Sequence, residues 1–149
     1  MPDSSPTPVV VVGIDGSPSA QAALAWADSY ATSTNATLRL VTSWAWPRMY
    51  GLLMVVDGLD LEGRAREVLA EAAASATIAP ERIETMAVEG AAGEVLLDAS
   101  KDADLLVVGS EGERGLDRVA LGSVSRQCID HATVPVVVVR RPGSSKPAR

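Results

Sequence analysis

Short apolar runs alternate with stretches of helical periodicity along the chain, and this alternation most constrains the possible folds. Five runs have the length and the β-branched content of strands. They cover residues 9–14, 37–43, 82–88, 104–109 and 135–139. Helical spacing of apolar residues lies between them, at 18–31, 61–76, 92–99 and 124–131. Each crossover is long enough to hold a helix, so we predict an α/β fold with a five-stranded parallel sheet and helices on both faces.

The length and the two ends of the chain indicate a single folding unit. A chain of 149 residues has the usual length of one domain. Residues 1–8 contain three prolines, and residues 142–149 are rich in Pro, Ser and Gly. We therefore predict one domain over residues 9–141, with flexible termini at 1–8 and 142–149.

Composition excludes several classes of function. The net charge of −6 and the lack of a basic stripe argue against nucleic acid as a partner. No apolar run approaches the ~20 residues that cross a bilayer, and the N-terminus lacks a leader pattern, so we expect a soluble, cytoplasmic protein without membrane contact. Single copies of Cys (Cys128) and His (His131) exclude a disulfide, a Cys cluster and a two-His metal site. Cys128 is expected in the core and His131 at a helix end.

A glycine-rich segment from Val107 to Ser125 carries the most specific chemistry. It starts at the carboxyl end of a buried strand and finishes at a helix start. Gly109 and Gly112 permit positive φ and close approach of the backbone, and Gly122-Ser123 opens a helix whose free N–H groups favour an anion. Such a loop can hold a polyphosphate, although glycines in loops also serve turns alone. The P-loop and the dinucleotide-binding glycine motifs are absent.

The spacing Gly109-x2-Gly112-x9-Gly122-Ser123 resembles the glycine signature of the nucleotide-binding class of universal stress proteins. Four further segments resemble this family in order and spacing. They are residues 10–17, 104–110, 121–125 and 134–140. The resemblance implies a single-domain Rossmann-like sandwich with strand order 3-2-1-4-5 that binds ATP or a related adenine nucleotide.

The resemblance also implies roles around the base and the ribose. It places Asp15 by the ribose and the adenine, and the backbone of Val41 at the adenine edge. Val108 and Gly109 border the ribose, and Gly13 lets the chain pass close to the base. A carboxylate accepts hydrogen bonds from ribose hydroxyls. The alternative role for Asp15 is to brace its own Asp-Gly-Ser turn.

For the phosphates, the resemblance implies binding by Gly112, Gly122, Ser123 and Val124, mainly through backbone N–H groups and the Ser123 hydroxyl. Ser123 is also suited to cap the helix, which uses the same geometry. No carboxylate cage is evident, so we expect no protein-ligated metal. Any Mg²⁺ would be held through phosphate oxygens and water.

Two acidic residues in the phosphate loop, Glu111 and Glu113, depart from the family pattern. They would repel a triphosphate, and Arg114 and Arg118 are placed to offset them and to reach the phosphates. The alternative is that all four side chains face water. The preferred ligand therefore stays open among ATP, ADP, AMP and cyclic AMP.

The segment 44–60 holds most of the large soft side chains, including Trp44 and Trp46. Packing over the sheet edge is the favoured interpretation. A Trp against the base and a surface for a partner are the alternatives, because long loops are often functional.

Three functions remain open at this level. The leading hypothesis is a nucleotide-binding protein of stress response or signalling, in which nucleotide biases conformation or assembly. The others are a slow ATPase, for which no convincing catalytic base is found, and an interaction module that binds no nucleotide. We also expect a homodimer through the apolar strand 136–139.

Overall fold

Strands and helices alternate as the sequence predicts. The computed structural model describes residues 5–111 and 121–141. The strands are β1 (Val9–Gly13), β2 (Thr37–Trp44), β3 (Arg48–Met49), β4 (Leu52–Leu53), β5 (Ile83–Glu89), β6 (Leu105–Gly109) and β7 (Val136–Val139). The helices are α1 (Pro18–Thr34), α2 (Leu61–Ser75), α3 (Ala92–Ser100) and α4 (Ser123–His131). A 3₁₀ turn, Pro80–Arg82, precedes β5.

Five of these strands form one parallel sheet in the order β5-β2-β1-β6-β7. This is the order 3-2-1-4-5 once the two strands of a hairpin are set aside, so the predicted α/β fold class is confirmed. The hairpin pairs β3 with β4 and lies within the segment that the sequence left as a long loop.

The core has two layers because side chains of each strand alternate between the faces of the sheet. Val10 and Val12 pack with Leu40 in the layer against α1 and α2. Val11 packs with Leu106 and Cys128 in the layer against α3 and α4. All six residues are fully buried. Burial on both faces explains the continuous valine runs of β1 and β6.

Helix α1 begins at a side-chain cap and ends at a left-handed residue. The Ser17 hydroxyl accepts from the Ala20 N–H (3.1 Å), and Asn35 has a φ of 60°. Its buried face is mainly alanine, which lets the helix lie close to β1 and β6. Within residues 5–111 and 121–141, no helix combines the length and the apolar character that a membrane crossing requires.

The sheet reverses its winding direction at β1. From this central strand, β2 and β5 lie on one side, and β6 and β7 lie on the other. In open parallel sheets, ligands bind beyond the carboxyl ends of the strands at such a switch point. The ends of β1, β2 and β6 therefore frame the candidate site.

Candidate functional site

The turn after β1 places Asp15 at the carboxyl edge of the sheet. One oxygen of its carboxylate accepts from the Ser17 N–H (2.9 Å), and Gly16 adopts a φ of 82°. This is the bracing role that the Asp-Gly-Ser pattern suggested. Asp15 itself is exposed, so the carboxylate is also open to a ligand hydroxyl. The two roles are compatible, because a carboxylate has two oxygens.

The main chain of Val41 is already used by the sheet. Its carbonyl accepts from the Ile14 N–H (2.8 Å), and Val41 is 1% exposed. Its carbonyl oxygen is therefore engaged at the position where the family resemblance assigns it to the adenine edge.

Two residues further along β2, the main chain of Ser43 faces the same side. The main-chain groups of odd-numbered residues in β2 point towards β1, as the bond from the Thr37 N–H to the Pro8 carbonyl shows (2.8 Å). Those of even-numbered residues point towards β5, as the bond from the Gly90 N–H to the Trp44 carbonyl shows (2.9 Å). The bond between Ile14 and Val41 is the last main-chain bond towards β1 among the described residues. The N–H and the C=O of Ser43 therefore point past the end of β1. Sequence reasoning missed Ser43, because only the strand register shows which peptide groups lie beyond a neighbouring strand.

Gly109, at the end of β6, is fixed by contact with α1. A Cβ at this position would overlap the Ser19 hydroxyl and lie 2.8 Å from the Ser19 carbonyl carbon and oxygen. The same hydroxyl accepts from the Glu111 N–H (3.1 Å). The glycine thus lets β6 pass against α1, and Ser19 anchors the residue that starts the loop.

The other glycine of this edge, Gly13, faces the opposite layer. A Cβ there would meet Leu96 at 3.0 Å and Val108 at 3.7 Å. Side chains of the protein therefore border this position. Val108 is 3% exposed, so its side chain belongs to the core.

The two ends of the loop after β6 are joined by backbone bonds. Ser110 donates to the Val139 carbonyl (3.0 Å), which extends the pairing of β6 with β7. Gly122 donates to the Ser110 carbonyl (2.8 Å). The predicted phosphate ligand Gly122 has thus committed its N–H to closing the loop. Its contribution is to bring the start of α4 to the sheet edge.

Among the described residues, none accepts from the first N–H groups of α4. Gly122 is the N-cap residue, with φ −64° and ψ 162°, and no described side chain caps the helix. The Ser125 hydroxyl donates to the Gly122 carbonyl (3.0 Å) and leaves the N–H groups of the turn uncovered. The first N–H groups of a helix lack intrahelical partners and favour anions. The N–H groups of Ser123 and Val124 belong to this first turn.

Glu111 does not face water, contrary to one sequence-based alternative. Its side chain is 6% exposed, and its Oε1 lies 3.4 Å from Nε of Arg141. This oxygen accepts no hydrogen bond among the residues that the structure describes. Arg141 thus neutralises a carboxylate beside the candidate phosphate site. The pair escaped sequence analysis because its members are far apart in the chain.

Several predicted residues lie outside the described ranges. They are Gly112, Glu113, Arg114 and Arg118. Among the described residues, no group of three or more His, Cys, Asp or Glu side chains is arranged to hold a metal ion.

A groove of about 600 Å³ lies beside this edge, between α1 and α2. Leu24, Val68 and Ala72 are among its lining residues. Asp28 also lines it, but its carboxylate accepts from Thr77 and from the Ile78 N–H, so it serves the local structure. None of the predicted site residues lines the groove. We therefore place the candidate site at the strand ends.

The segment 44–60 divides into two parts. Trp44 and Trp46 are half-buried, in keeping with packing near the sheet. The hairpin that follows is exposed, with Tyr50 at 97%. Packing over the sheet edge thus holds for the tryptophans and is wrong for residues 49–56.

Comparison with known proteins agrees with the fold. The model of the universal stress protein family matches residues 7–140. Universal stress protein Rv2623 of Mycobacterium tuberculosis is 32% identical over 155 residues, which cover 93% of this chain and 49% of the relative. Rv2624c of the same organism is 36% identical over 135 residues, covering 88% and 47%. The chain thus spans about half the length of these curated relatives.

Solved structures give the same result. Universal stress protein UspA from Lactobacillus plantarum superposes with a TM-score of 0.69 and 26% identity, covering 91% of this chain and 99% of that protein. A universal stress protein in complex with cAMP superposes with a TM-score of 0.65 and 25% identity, covering 92% and 99%. The fold and the strand-end site define an α/β protein with a parallel sheet and a candidate ligand site at its carboxyl edge. The chain belongs to the universal stress protein family.

Proposed function

We propose that this protein binds an adenine nucleotide across the carboxyl ends of β1, β2 and β6 and that binding biases its conformation or assembly. The first turn of α4, which no side chain of the described residues caps, carries the proposal. It lies where the loop after β6 closes, on the same edge as Asp15 and Ser43. The related protein in complex with cAMP supports the assignment.

The phosphates are assigned to the start of α4. The N–H groups of Ser123 and Val124 and the Ser123 hydroxyl donate to phosphate oxygens, assisted by the helix dipole. Gly112 and Arg114 are also assigned to the phosphates, on the basis of their positions in the sequence. Pairing of Glu111 with Arg141 removes one source of repulsion. Mg²⁺, where present, is held by phosphate oxygens and water.

The adenine is assigned to the end of β2. The N–H and C=O of Ser43 point past the end of β1 and match the N1 acceptor and the N6 donor of adenine. Guanine presents the opposite pattern, a donor at N1 and an acceptor at O6, and would leave these groups unpaired. Asp15 accepts from the ribose hydroxyls, and Gly13, Val108 and Gly109 border the sugar and the base.

Thermal unfolding with and without ATP, ADP, AMP, cyclic AMP and GTP, each with Mg²⁺, tests the proposal. A ligand at 100 times its Kd stabilises by about 2.7 kcal/mol, which raises the Tm of a domain of this size by roughly 5–10 °C. At least one adenine nucleotide should give this shift, and GTP should give none at the same concentration. No shift with any adenine nucleotide would favour the interaction module that binds none.

Ser123→Pro isolates the contribution of the α4 terminus. Proline is favourable at the first position of a helix, and the φ and ψ of Gly122 suit a residue before proline. The change removes one N–H and one hydroxyl donor while leaving the helix intact. Each hydrogen bond to a charged group contributes ~1.5–3 kcal/mol, so the loss of one of these two bonds should lower affinity about 10- to 100-fold, and the loss of both should lower it more. Ala92→Pro, at the first position of α3, is the matched control and should leave affinity unchanged.

A homodimer through β7 belongs to the same proposal. β7 is an edge strand, and its odd-numbered residues, Val137 and Val139, bond towards β6. The main-chain groups of Val136 and Val138 therefore turn outward, where an antiparallel copy can pair. Val138→Pro removes one outward N–H without breaking the pairing with β6. Light scattering should show a smaller mass for this variant than for the parent protein.

A further inference from the structure

A short hairpin after β2 exposes an unusual amount of apolar surface. We call residues 48–56 the apolar hairpin. Arg48 pairs with Leu53, and Met49 pairs with Leu52. The turn residues have positive φ, 54° at Tyr50 and 77° at Gly51, as two-residue hairpin turns of type I′ require. The Met54 N–H adds a further bond to the Pro47 carbonyl (2.8 Å), so the segment has a defined geometry.

Seven large apolar side chains of the hairpin are between 43% and 97% exposed. They are Met49, Tyr50, Leu52, Leu53, Met54, Val55 and Val56. Together they present on the order of 800 Å², which is about what each partner contributes to a standard protein interface. An exposed apolar patch of this size on a small domain marks an interaction surface.

The hairpin is also incomplete as a sheet. A two-stranded hairpin is marginally stable by itself, and its outer edges carry unpaired N–H and C=O groups. No charged residue, proline or bulge protects residues 49–56 from pairing with another strand. These edges and the apolar side chains favour a partner that supplies another strand of similar character.

A second copy of this chain fits that description. A two-fold interface places the same patch on both sides, so a patch with charges of one sign would face like charges in its copy. Residues 49–56 carry no charge, and Arg48 and Asp57 bracket them. The net charge of −6 opposes binding to an anionic lipid surface. We propose that the apolar hairpin is a self-association surface, in which two hairpins pair edge to edge into one four-stranded sheet.

This surface is separate from β7. The hairpin follows β2, and two strands, β1 and β6, separate β2 from β7 in the sheet. Both surfaces can therefore be used at once, which gives assemblies larger than a dimer. The inference does not depend on nucleotide binding, because it rests on exposure and pairing alone.

Sedimentation velocity of the full chain tests the proposal in two backgrounds. In Val138→Pro, which blocks β7, the protein should still form a dimer at micromolar concentration. Adding Leu52→Glu should convert it to a monomer, because the 69% exposed Leu52 would meet the same charge in its partner. Ile129→Glu, at a 47% exposed position on α4, is the matched control and should leave the mass unchanged. A monomeric Val138→Pro protein, or a dimer unaffected by Leu52→Glu, would refute the inference.

Cross-linking gives a second measurement that does not need the β7 variant. Tyr50→Cys at the hairpin tip should form a disulfide-linked dimer under mild oxidation, whereas Ile129→Cys should not. The native Cys128 is buried and does not compete. Equal cross-linking at both positions would count against the proposal. So would a monomer that floats with phosphatidylcholine vesicles, since the hairpin would then dock on lipid.

Discussion

Substitution of Gly109 by alanine should destabilise the fold, although the residue lies at the end of a strand and at the edge of the candidate site. The new Cβ would lie 2.8 Å from the carbonyl carbon and oxygen of Ser19, well inside van der Waals contact. Both atoms belong to the backbone of α1, so relief requires movement of a helix against the sheet. Overpacking of this kind costs about 1–3 kcal/mol. We expect that loss in the free energy of unfolding.

Urea denaturation followed by circular dichroism measures the loss, with thermal unfolding as a second readout. For a chain of this size, 1–3 kcal/mol lowers the Tm by roughly 2–12 °C. Nucleotide affinity should fall as well, because Ser19 also holds the N–H of Glu111 at the start of the loop. A loss below about 0.5 kcal/mol would refute the packing argument, since surface changes commonly fall within that range.

Two further variants distinguish a clash with the backbone of α1 from a clash with a side chain. Gly13→Ala meets the flexible end of Leu96 at 3.0 Å, so its cost should be smaller than that of Gly109→Ala. Ser19→Ala removes the hydroxyl but leaves the backbone clash, so the double variant should stay destabilised. If Ser19→Ala fully restored stability, the clash at position 109 would be with the Ser19 side chain and not with the backbone of α1.

Three other outcomes follow from ionisable groups. Arg141→Met should lower the free energy of unfolding by about 1–3 kcal/mol, because the buried Glu111 carboxylate loses its cation. In calorimetric titrations the same change should weaken the affinity for ATP more than the affinity for AMP. Equal weakening of both affinities would contradict this. The hydrogen bond and charge of Arg39 lower the pKa of Asp102 from 3.8. The ionised Asp102 therefore stabilises the fold above that value, and this stabilisation is lost as pH falls through the folded-state pKa. Urea denaturation of Asp102→Asn and of the parent protein, compared from about pH 7 to about pH 2, should give free energies of unfolding that converge at the acid end. Burial raises the pKa of the Cys128 thiol, so Ellman's reagent should react only after unfolding, and rapid reaction of the folded protein would contradict the packing of α4.

The secondary structure was largely predictable because it depends on local periodicity. The predicted strand at 104–109 is β6 at Leu105–Gly109, and the predicted helix at 124–131 is α4 at Ser123–His131. The hairpin at 48–53 was missed, because its strands are two residues long and no alternation of polar and apolar residues marks them.

The candidate site was predictable in its location and not in its details. The glycine spacing indicates the loop after β6 and the start of α4, and the structure brings the end of β6 and the start of α4 to the same edge as Asp15. The proposal that Ser43 contacts the adenine depends on which peptide groups β1 leaves unpaired. The sequence of a single strand does not show how β1 and β2 are aligned with each other.

The sequence alone determined the α/β class, the order of strands and helices, and the family, because these follow from patterns within short stretches and from their order. Only the tertiary structure decided which groups are free at the sheet edge. It buried Glu111 beside Arg141, set Gly109 against Ser19, and left the apolar hairpin exposed. Each of these features depends on whether segments that are distant in the chain come into contact. The residue types alone do not determine such contacts, because the contacts depend on how the elements pack.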